Sequence, residues 1–468
     1  MGKTFDLIVL GAGPGGYVAA IKAAKLGLET AVIEERQVGG TCLNRGCIPA
    51  KAMIHASSLY QEAKNGEVFG VRAEHVTFDY GKMLSYKEET TEKLVQGVEQ
   101  LLKGNGVTLI SGKGMLLADR QVQVTSEEGT EVYGAKHIIL AAGSVPVMLP
   151  LPGMDLPGVL TSDELFRLTE APESLVIIGG GVISVEFATI YAALGCKVTI
   201  LEAMPRLVPN LDKEISQNLK MILKKRGVEI HTSAAVQSVK EEDGQYVCVF
   251  TEKEKEQTAG GQYVLCAVGR RPNTEGLFAE GAVPAMERGR VLVDENFRTS
   301  LEEVYAIGDL IPGIWLAHAA SAQGMAVAER LAGKEPSQDV TVVPSCVYTS
   351  PEIACVGITE DEAKEQGIPV KTAKYIMSAN GKSLITREER GFIKVVAEEE
   401  TGVILGAQMM CARATDMIGE FATAVACRLT AAQLSRAMRA HPTYNEGVGE
   451  ALEELEGGAI HVMPKKKR

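Results

Sequence analysis

Residues 6–35 read DLIVLGAGPGGYVAAIKAAKLGLETAVIEE, and their pattern indicates how the N-terminal part folds. A short apolar run ends at Gly11, which is typical of a buried parallel strand. A helix of small and apolar residues then ends near Gly27, and a second strand ends at Glu34. Glycines in such a turn let the backbone approach a pyrophosphate, the helix N-terminus supplies N–H groups, and the acid binds ribose hydroxyls. The stretch therefore predicts a dinucleotide-binding unit.

The same pattern returns in SLVIIGGGVISVEFATIYAALGCKVTILEA, residues 174–203. Four pairs of matching residues are each 168 positions apart: Gly11 and Gly179, Gly13 and Gly181, Gly27 and Gly195, and Glu34 and Glu202. Ser184 of the second copy stands where the first copy has Gly16, and serine is small enough for close packing of helix on strand. Two dinucleotide sites in one chain indicate two cofactors that exchange electrons.

The composition limits the classes of protein to which this chain can belong. The 468 residues suggest about three domains, and 46% hydrophobic with 23% charged residues excludes general disorder. The net charge of −12 would repel phosphate backbones, so we expect no nucleic-acid partner and take the basic tail at residues 465–468 as a solvated terminus. No apolar run is long enough to span a membrane, and the N-terminus lacks a secretory signal. With nine scattered cysteines, this pattern predicts a soluble cytoplasmic protein without membrane association.

Cys42 and Cys47 lie in the segment GGTCLNRGCIPAK with four residues between them. A plant-type iron–sulfur site needs a further cysteine where Ala50 stands, and a zinc site needs a second close pair of ligands. A redox-active disulfide needs only the two thiols. Five residues along an ideal helix turn the second thiol about 140° from the first, so a bridge requires an irregular helix start, which Gly46 and Pro49 favour. We therefore favour a redox pair over two unpaired thiols.

The other seven cysteines lie in apolar contexts and are predicted to be small core residues: Cys196, Cys248, Cys266, Cys346, Cys355, Cys411 and Cys427.

Taken together, the motifs resemble those of the pyridine nucleotide–disulfide oxidoreductase family. The likeness extends over nearly the whole chain, in family order, through GAGPGG, GGTCLNRGCIPAK, ILAAGSVP, GGGVISVE, AVGRRPNT, VYAIGD, VYTSPEIACVG, ANGKSL and HPTYNE. It implies an α/β chain with two Rossmann-like dinucleotide-binding domains and a C-terminal α+β dimerisation domain. The expected bounds are 1–150 for the FAD-binding domain, 151–273 for the NAD-binding domain, 274–343 for a central segment completing the FAD site, and 344–468 for the dimerisation domain.

The resemblance places FAD in the first dinucleotide unit. The expected contacts are Gly11, Gly13 and Gly16 at the pyrophosphate and Glu34 at the adenosine ribose. Gly114, Gly143, Gly269 and Ala317 are further expected cofactor-binding positions, not assigned to one of the two cofactors. Asp309 of VYAIGD would contact the ribityl and phosphate region, and the less favoured alternative for an acid after a glycine is a simple helix cap. Lys51 and Glu186 would form an ion pair beside the flavin, where a cation stabilises the reduced, anionic ring.

The second dinucleotide unit would bind NAD through Gly179, Gly181 and Ser184. Glu202 ends its second strand, where a carboxylate accepts hydrogen bonds from ribose hydroxyls and would repel the 2′-phosphate of NADP. Arg206 is nearby, but Pro205 separates it from the end of the strand. We therefore expect NAD rather than NADP.

His441 lies in HPTYNE with Glu446 five residues further on. A lone histidine is more often structural, but a dithiol must lose a proton to attack a disulfide, so the chemistry needs a base. In the family this histidine is the base and the acid holds its tautomer, as in hydrolase triads. Arg439 stands where the family often has a second histidine, and this departure concerns the dimer interface and not the chemistry.

The resemblance implies NAD-dependent oxidation of dihydrolipoamide. Cys42 would exchange with the substrate, Cys47 would lie beside the flavin, and the partners would be a lipoylated carrier protein or lipoyl domain and a second copy of the chain in a homodimer. One alternative is a reductase of glutathione-like or coenzyme disulfides that uses NADPH, against which Glu202 argues. Another is a non-catalytic flavoprotein subunit, against which the intact cysteine and histidine motifs argue.

Overall fold

The computed structural model describes residues 3–463, so the basic tail at residues 465–468 lies outside the described residues. The described chain is a mixture of α-helices and β-strands, and the predicted α/β class is confirmed. It divides into two compact units. Unit 1 consists of the residues up to Leu175, Ser238–Val247 and Gly260–Val340, and unit 2 consists of Val176–Gln237, Cys248–Ala259 and the residues from Thr341 onward. The four domain bounds given above stay a prediction.

The first 165 residues form these elements: β1 (Thr4–Leu10), α1 (Pro14–Lys25), β2 (Thr30–Glu34), α2 (Gly40–Arg45), α3 (Cys47–Lys64), α4 (Tyr80–Gly104), β3 (Thr108–Ser111), β4 (Lys113–Leu116), β5 (Gln121–Ser126), β6 (Gly129–Leu140), β7 (Ser144–Pro146), β8 (Val159–Leu160) and α5 (Ser162–Leu165).

The next elements run from the second glycine-rich copy to the central segment: β9 (Ser174–Ile178), α6 (Val182–Ala193), β10 (Lys197–Glu202), α7 (Lys213–Lys225), β11 (Glu229–Thr232), β12 (Ala234–Glu242), β13 (Gln245–Glu252), β14 (Lys255–Gly261), β15 (Tyr263–Cys266), β16 (Arg270–Pro272), β17 (Met286–Glu287), β18 (Arg290–Val291), β19 (Val304–Ala306) and α8 (Ala317–Leu331).

The C-terminal elements are β20 (Ser345–Val347), β21 (Glu352–Gly357), α9 (Glu360–Glu365), β22 (Val370–Ile376), α10 (Gly381–Thr386), β23 (Phe392–Glu398), β24 (Ile404–Cys411), α11 (Ala414–Ala426), α12 (Ala431–Ser435) and α13 (Glu446–Leu455). Short 3-10 turns lie at Gly66–Phe69, Gly308–Leu310 and Met377–Ala379.

Unit 1 is built on a seven-stranded sheet in the order β3-β2-β1-β6-β5-β4, with β19 also paired to β6. The pairs that join β3, β2, β1, β6 and β19 are parallel, whereas β5 and β4 run antiparallel. Ile8, Val9 and Leu10 of β1 are almost fully buried, as expected for a parallel strand covered on both faces. This order puts the carboxyl ends of β1 and β2 side by side, where the first glycine-rich turn lies.

Helices α1 and α8 pack closely within unit 1 because small residues meet at their contact. A Cβ atom at Gly324 of α8 would lie 2.5 Å from the carbonyl oxygen of Gly15 in α1. The Ser321 hydroxyl of α8 donates to the carbonyl oxygen of Pro14 at 3.2 Å. The start of α1 is therefore fixed against the segment that follows Asp309.

Unit 2 contains the parallel pair β10 and β11 and a five-stranded antiparallel sheet in the order β20-β21-β24-β23-β22. Helix α11 lies against β21 and β24, and α13 lies against β22 and β23. Phe421 of α11 and Leu452 of α13 are fully buried in the core of this sheet. This packing positions the loop that contains His441 and the start of α13, where Glu446 lies.

Within residues 3–463, the helices are too short or too polar to cross a membrane.

Candidate active site

The first glycine-rich turn has the conformation that a dinucleotide site requires. Gly11 has φ +101° and donates its N–H to the carbonyl oxygen of Ile33 at 2.8 Å. A Cβ atom at Gly16 would lie 1.8 Å from the carbonyl oxygen of Gly11, so α1 can approach the turn only with glycine there. At Gly13, which precedes α1, a Cβ atom would meet no protein atom within 4 Å. The backbone at the start of α1 is thus open to a ligand.

The second copy repeats this geometry. Gly179 has φ +105° and donates its N–H to the carbonyl oxygen of Leu201, again at 2.8 Å. Gly181 precedes α6, and a Cβ atom there would also meet nothing within 4 Å. Ser184 is fully buried, and its hydroxyl has no hydrogen-bond partner among the described residues. The duplication seen in the sequence is a duplication of backbone conformation.

The two acids at the strand ends are held in the same way. Glu34 accepts hydrogen bonds from the N–H groups of Ala12 at 2.8 Å and Arg36 at 2.9 Å. Glu202 accepts from the N–H groups of Gly180 and, at 2.5 Å, Met204. A carboxylate has about four lone-pair positions, so each acid keeps acceptors for ribose hydroxyls. With the open backbone at both helix starts, the residues present fit one dinucleotide in each copy.

A polar chain that sequence reasoning missed leads to Asp309. The Ser144 hydroxyl donates to Asp309 Oδ2 at 2.5 Å, and Arg270 donates to the Ser144 hydroxyl and carbonyl oxygens, both at 2.7 Å. Burial lowers the pKa of Arg270, while the charges of Asp163, Asp309 and Cys47 oppose that effect. Asp309 therefore holds Ser144 and caps no helix. The motif AVGRRPNT contained the signal for Arg270, but its hydrogen-bond partner Ser144 is 126 positions away in the chain.

The remaining predicted cofactor-binding positions lie on or next to elements of unit 1. Gly143 and Gly269 directly precede β7 and β16, which pair antiparallel, and both have positive φ values, +68° and +132°. A Cβ atom at Gly114 would lie 2.6 Å from Leu10 Cδ2 at the end of β1. Ala317 is the first residue of α8. Their contact with a cofactor stays a prediction.

The two motif cysteines meet at a break between two helices. Cys42 lies in α2 and Cys47 begins α3, while Gly46 between them has φ −143° and ψ −105°. Neither cysteine is in a disulfide in this structure, and a hydrogen bond joins their side chains. The irregular helix start that a bridge requires is present, and the two sulfurs are close enough to react with each other.

Electrostatics distinguish the pair from an ordinary thiol. The hydrogen bond to Cys47 raises the pKa of Cys42, burial and the charge of Cys47 raise it further, and the Lys51 ammonium acts in the opposite direction. Burial and the charge of Cys42 raise the pKa of Tyr17. The Cys42 thiol therefore loses its proton less readily than an ordinary cysteine, and the positive charge of Lys51 opposes that effect.

Glu186 is buried in α6 of unit 2, with 5% of its surface exposed. Its Oε1 accepts a hydrogen bond from the N–H of Tyr348 at 3.0 Å. A buried carboxylate in an apolar helix needs such partners. Its pairing with Lys51 stays a prediction.

His441 and Glu446 form the dyad that the family resemblance implied. The Nδ1 atom of His441 is 2.8 Å from Glu446 Oε1, and Glu446 Oε2 accepts from the N–H of Thr443 at 2.8 Å. Burial alone would raise the pKa of Glu446, but the bonds from Thr443 and His441 outweigh it and lower that pKa. The ring is 77% exposed, and its Nε2 is left for a reacting group. The catalytic role of the dyad stays a prediction.

Three histidines without a role in the sequence analysis have carboxylate partners: His137 with Glu303, His231 with Glu229 and Glu252, and His461 with Glu450. The prediction that all seven other cysteines are core residues is wrong for Cys427, which is exposed, and Cys346 and Cys355 are only partly buried. Cys427 directly follows the last residue of α11, where the chain leaves the core.

Comparisons with known proteins agree with this geometry. The family description "Pyridine nucleotide-disulphide oxidoreductase" matches residues 5–324, and its dimerisation domain matches residues 343–452. Dihydrolipoyl dehydrogenases of Geobacillus stearothermophilus and Bacillus subtilis (strain 168) are each 41% identical, over 98% of this chain and 98% of the relative.

A solved structure, LpdA of Mycobacterium tuberculosis, superposes with a TM-score of 0.90 at 26% identity and covers 97% of this chain and 100% of its own. The two glycine-rich turns, the thiol pair and the His–Glu dyad lie within the matched ranges. With two family descriptions that together span most of its length, this chain belongs to the pyridine nucleotide-disulphide oxidoreductase family.

Proposed function

We propose that this protein oxidises dihydrolipoamide with NAD, as an enzyme that uses FAD and a redox-active Cys42–Cys47 pair. The observation that carries the proposal is the hydrogen-bonded thiol pair at the start of α3, in the same unit as the first dinucleotide turn. Relatives that bear the name dihydrolipoyl dehydrogenase match 98% of the chain, which supports this substrate over other disulfides and dithiols.

The thiol chemistry balances within the pair. A thiolate of dihydrolipoamide attacks the Cys42 sulfur of the disulfide, the S–S bond breaks, and the electron pair leaves on Cys47. The second substrate thiol, deprotonated in turn, attacks the mixed disulfide, so that lipoamide leaves and both cysteines are reduced. The cation of Lys51 and the buried guanidinium of Arg270 favour the negative charge that develops on this pair. When bound, FAD supplies the two-electron carrier between the thiol pair and NAD.

The base for the substrate thiol is His441. Its Nδ1 is held by Glu446, which fixes the tautomer and leaves Nε2 to take the proton. The ionised Glu446, whose pKa is lowered, stabilises the imidazolium that forms. We infer that the base serves the thiols of the partner subunit, because the dimerisation domain carries it.

Glu202 selects the nicotinamide cofactor. Its carboxylate is 7% exposed and fixed by two backbone N–H groups, so it cannot turn away from a ribose placed against it. A 2′-phosphate would meet a buried like charge there. Arg206 donates to the carbonyl oxygen of Pro209 at 2.5 Å and is engaged locally. These contacts support NAD.

Lipoylated carrier proteins are the partners that fit the substrate, and the cytoplasm is the compartment that fits the scattered cysteines. The test is the formation of NADH from dihydrolipoamide and NAD by the purified, yellow protein. The reduction of glutathione disulfide by NADPH is measured for comparison. Cys47→Ser should retain FAD and lose dihydrolipoamide oxidation. Faster turnover of glutathione disulfide than of dihydrolipoamide would refute the substrate, and near-normal turnover by Cys47→Ser would refute the relay.

A further inference from the structure

Glu420 on α11 holds both ends of the segment that carries His441. Arg439 donates from Nη2 to Glu420 Oε1, and Asn445 donates from Nδ2 to Glu420 Oε2 at 3.2 Å. Arg439 lies two residues before His441, and Asn445 lies directly before Glu446. The two oxygens of one carboxylate therefore fix the loop on both sides of the dyad.

Glu420 holds the two ends of this loop, whereas its middle is held by Asn380, which donates to the Thr443 carbonyl oxygen at 3.0 Å, and by the Tyr444 hydroxyl, which donates to Glu388 at 2.6 Å. His441 is largely exposed, and its hydrogen bond to Glu446 is the contact that orients the ring. Glu446 is the first residue of α13, so its position depends on where the loop before it ends. A displacement of Asn445 or Arg439 would move both members of the dyad.

Two departures from ordinary local structure point to the same carboxylate. Asparagine at the start of a helix usually accepts a hydrogen bond from the helix backbone, but the Asn445 side chain makes no such bond and donates to Glu420 instead. Arg439 occupies the place of the family's frequent histidine, and only 8% of its side chain is exposed. It lies over Gly449 of α13, where a Cβ atom would be 3.4 Å from Arg439 Cδ.

We propose that Glu420 is a positioning residue for the catalytic base: with Arg439 and Asn445 it forms a clamp that holds His441 and Glu446 in their reactive arrangement. This inference rests on the proposed function of His441. In this chain a long, planar guanidinium reaches from the loop to α11, and its fork suits a carboxylate. The clamp acts on the proton transfer and not on the dinucleotide sites.

The test compares two reactions of the dimeric holoenzyme. Dihydrolipoamide oxidation needs the base, whereas reduction of ferricyanide by NADH does not need a proton taken from a dithiol. Glu420→Gln should lower kcat for dihydrolipoamide by about 10- to 100-fold, with its KM and the ferricyanide rate changed less than about two-fold. Glu400→Gln, the same change at an exposed turn, should alter neither rate.

A double variant separates positioning from general damage. If the clamp acts through the base, His441→Gln with Glu420→Gln should be no slower than His441→Gln alone. Equal loss of both reactions in Glu420→Gln, additive losses in the double variant, or dithiol oxidation within about two-fold of wild type would each overturn the clamp. If His441→Gln itself keeps normal dithiol oxidation, the proposed function of His441 fails instead. Should Glu420→Gln not assemble, Asn445→Ala, which keeps the ion pair, carries the same comparison.

Discussion

Replacement of Gly181 by alanine should weaken NAD binding without unfolding the chain. Gly181 has φ −77°, which alanine adopts without strain, and its added Cβ atom would meet no protein atom within 4 Å. The cost to folding should therefore stay within about 1 kcal/mol. The methyl group would instead occupy the space in front of α6 through which a pyrophosphate approaches the backbone.

The size of the effect follows from the hydrogen bonds that the methyl group displaces. Loss of one or two bonds from backbone N–H groups to a charged phosphate, at about 1.5–3 kcal/mol each, gives about 3 kcal/mol. That corresponds to an increase of about 100-fold in Kd for NAD. Calorimetric titration with NAD and the KM for NAD in dihydrolipoamide oxidation measure it, and flavin absorbance checks that FAD is retained.

Two matched variants complete the test. Gly13→Ala makes the same change in the first copy, where the added Cβ atom also meets nothing, and should yield folded protein that has lost FAD. Gly419→Ala lies on the exposed side of α11 and should leave both cofactors bound. A KM for NAD within about three-fold of wild type in Gly181→Ala, or loss of FAD from that variant, would refute the assignment of the second copy.

We expect kcat/KM for NAD to be at least about 100-fold higher than for NADP, because a 2′-phosphate would meet the buried Glu202 carboxylate. Equal values for the two cofactors would refute the assignment of Glu202 to the nicotinamide cofactor site. Mixing Cys47→Ser subunits with His441→Ala subunits should restore roughly a quarter of wild-type activity, because half of the dimers are hybrids and each hybrid has one intact site of two. If activity does not recover after subunit exchange has been verified, His441 serves the thiols of its own chain. Lys394→Met should lower the free energy of unfolding by about 3 kcal/mol near neutral pH, because it leaves Asp212, 2.9 Å from Lys394 Nζ, without its partner. Burial alone would lower the pKa of Lys394, but the hydrogen bonds and charges of Asp212 and Glu214 outweigh burial and raise that pKa above its ordinary value of 10.5. The stabilisation by the ion pair is therefore complete below pH 10.5 and is lost as the pH rises through the raised pKa of the folded state. The difference in thermal midpoint between wild type and variant should shrink from about pH 8 to about pH 11, and an unchanged difference would contradict the ion pair.

The parts of the site that are local in sequence could be predicted from sequence. The spacing from Gly11 to Glu34 recurs from Gly179 to Glu202, and both acids bind the backbone of their own glycine-rich turn. Such patterns are visible because strand, turn and helix follow one another within thirty residues. The His441–Glu446 contact was implied by the resemblance to the family, because a spacing of five residues does not by itself predict a dyad.

Contacts between distant segments could not be predicted. Arg270 reaches Ser144 across 126 positions, and Asp309 reaches Ser144 across 165. The partner of Arg439 was not apparent from the sequence, because the packing of α11 brings Glu420 against it. The local sequence pattern predicts the helix or strand in which a residue lies, whereas its contact partners depend on how the helices and strands pack together.

The count of reactive thiols before and after substrate tests the relay itself. The chain has nine cysteines, and alkylation of the denatured, oxidised protein should label seven of them. After one equivalent of dihydrolipoamide under anaerobic conditions without NAD, all nine should be labelled, and peptide mapping should identify the two new labels as Cys42 and Cys47. An unchanged count, or new labels on other cysteines, would contradict the proposed relay.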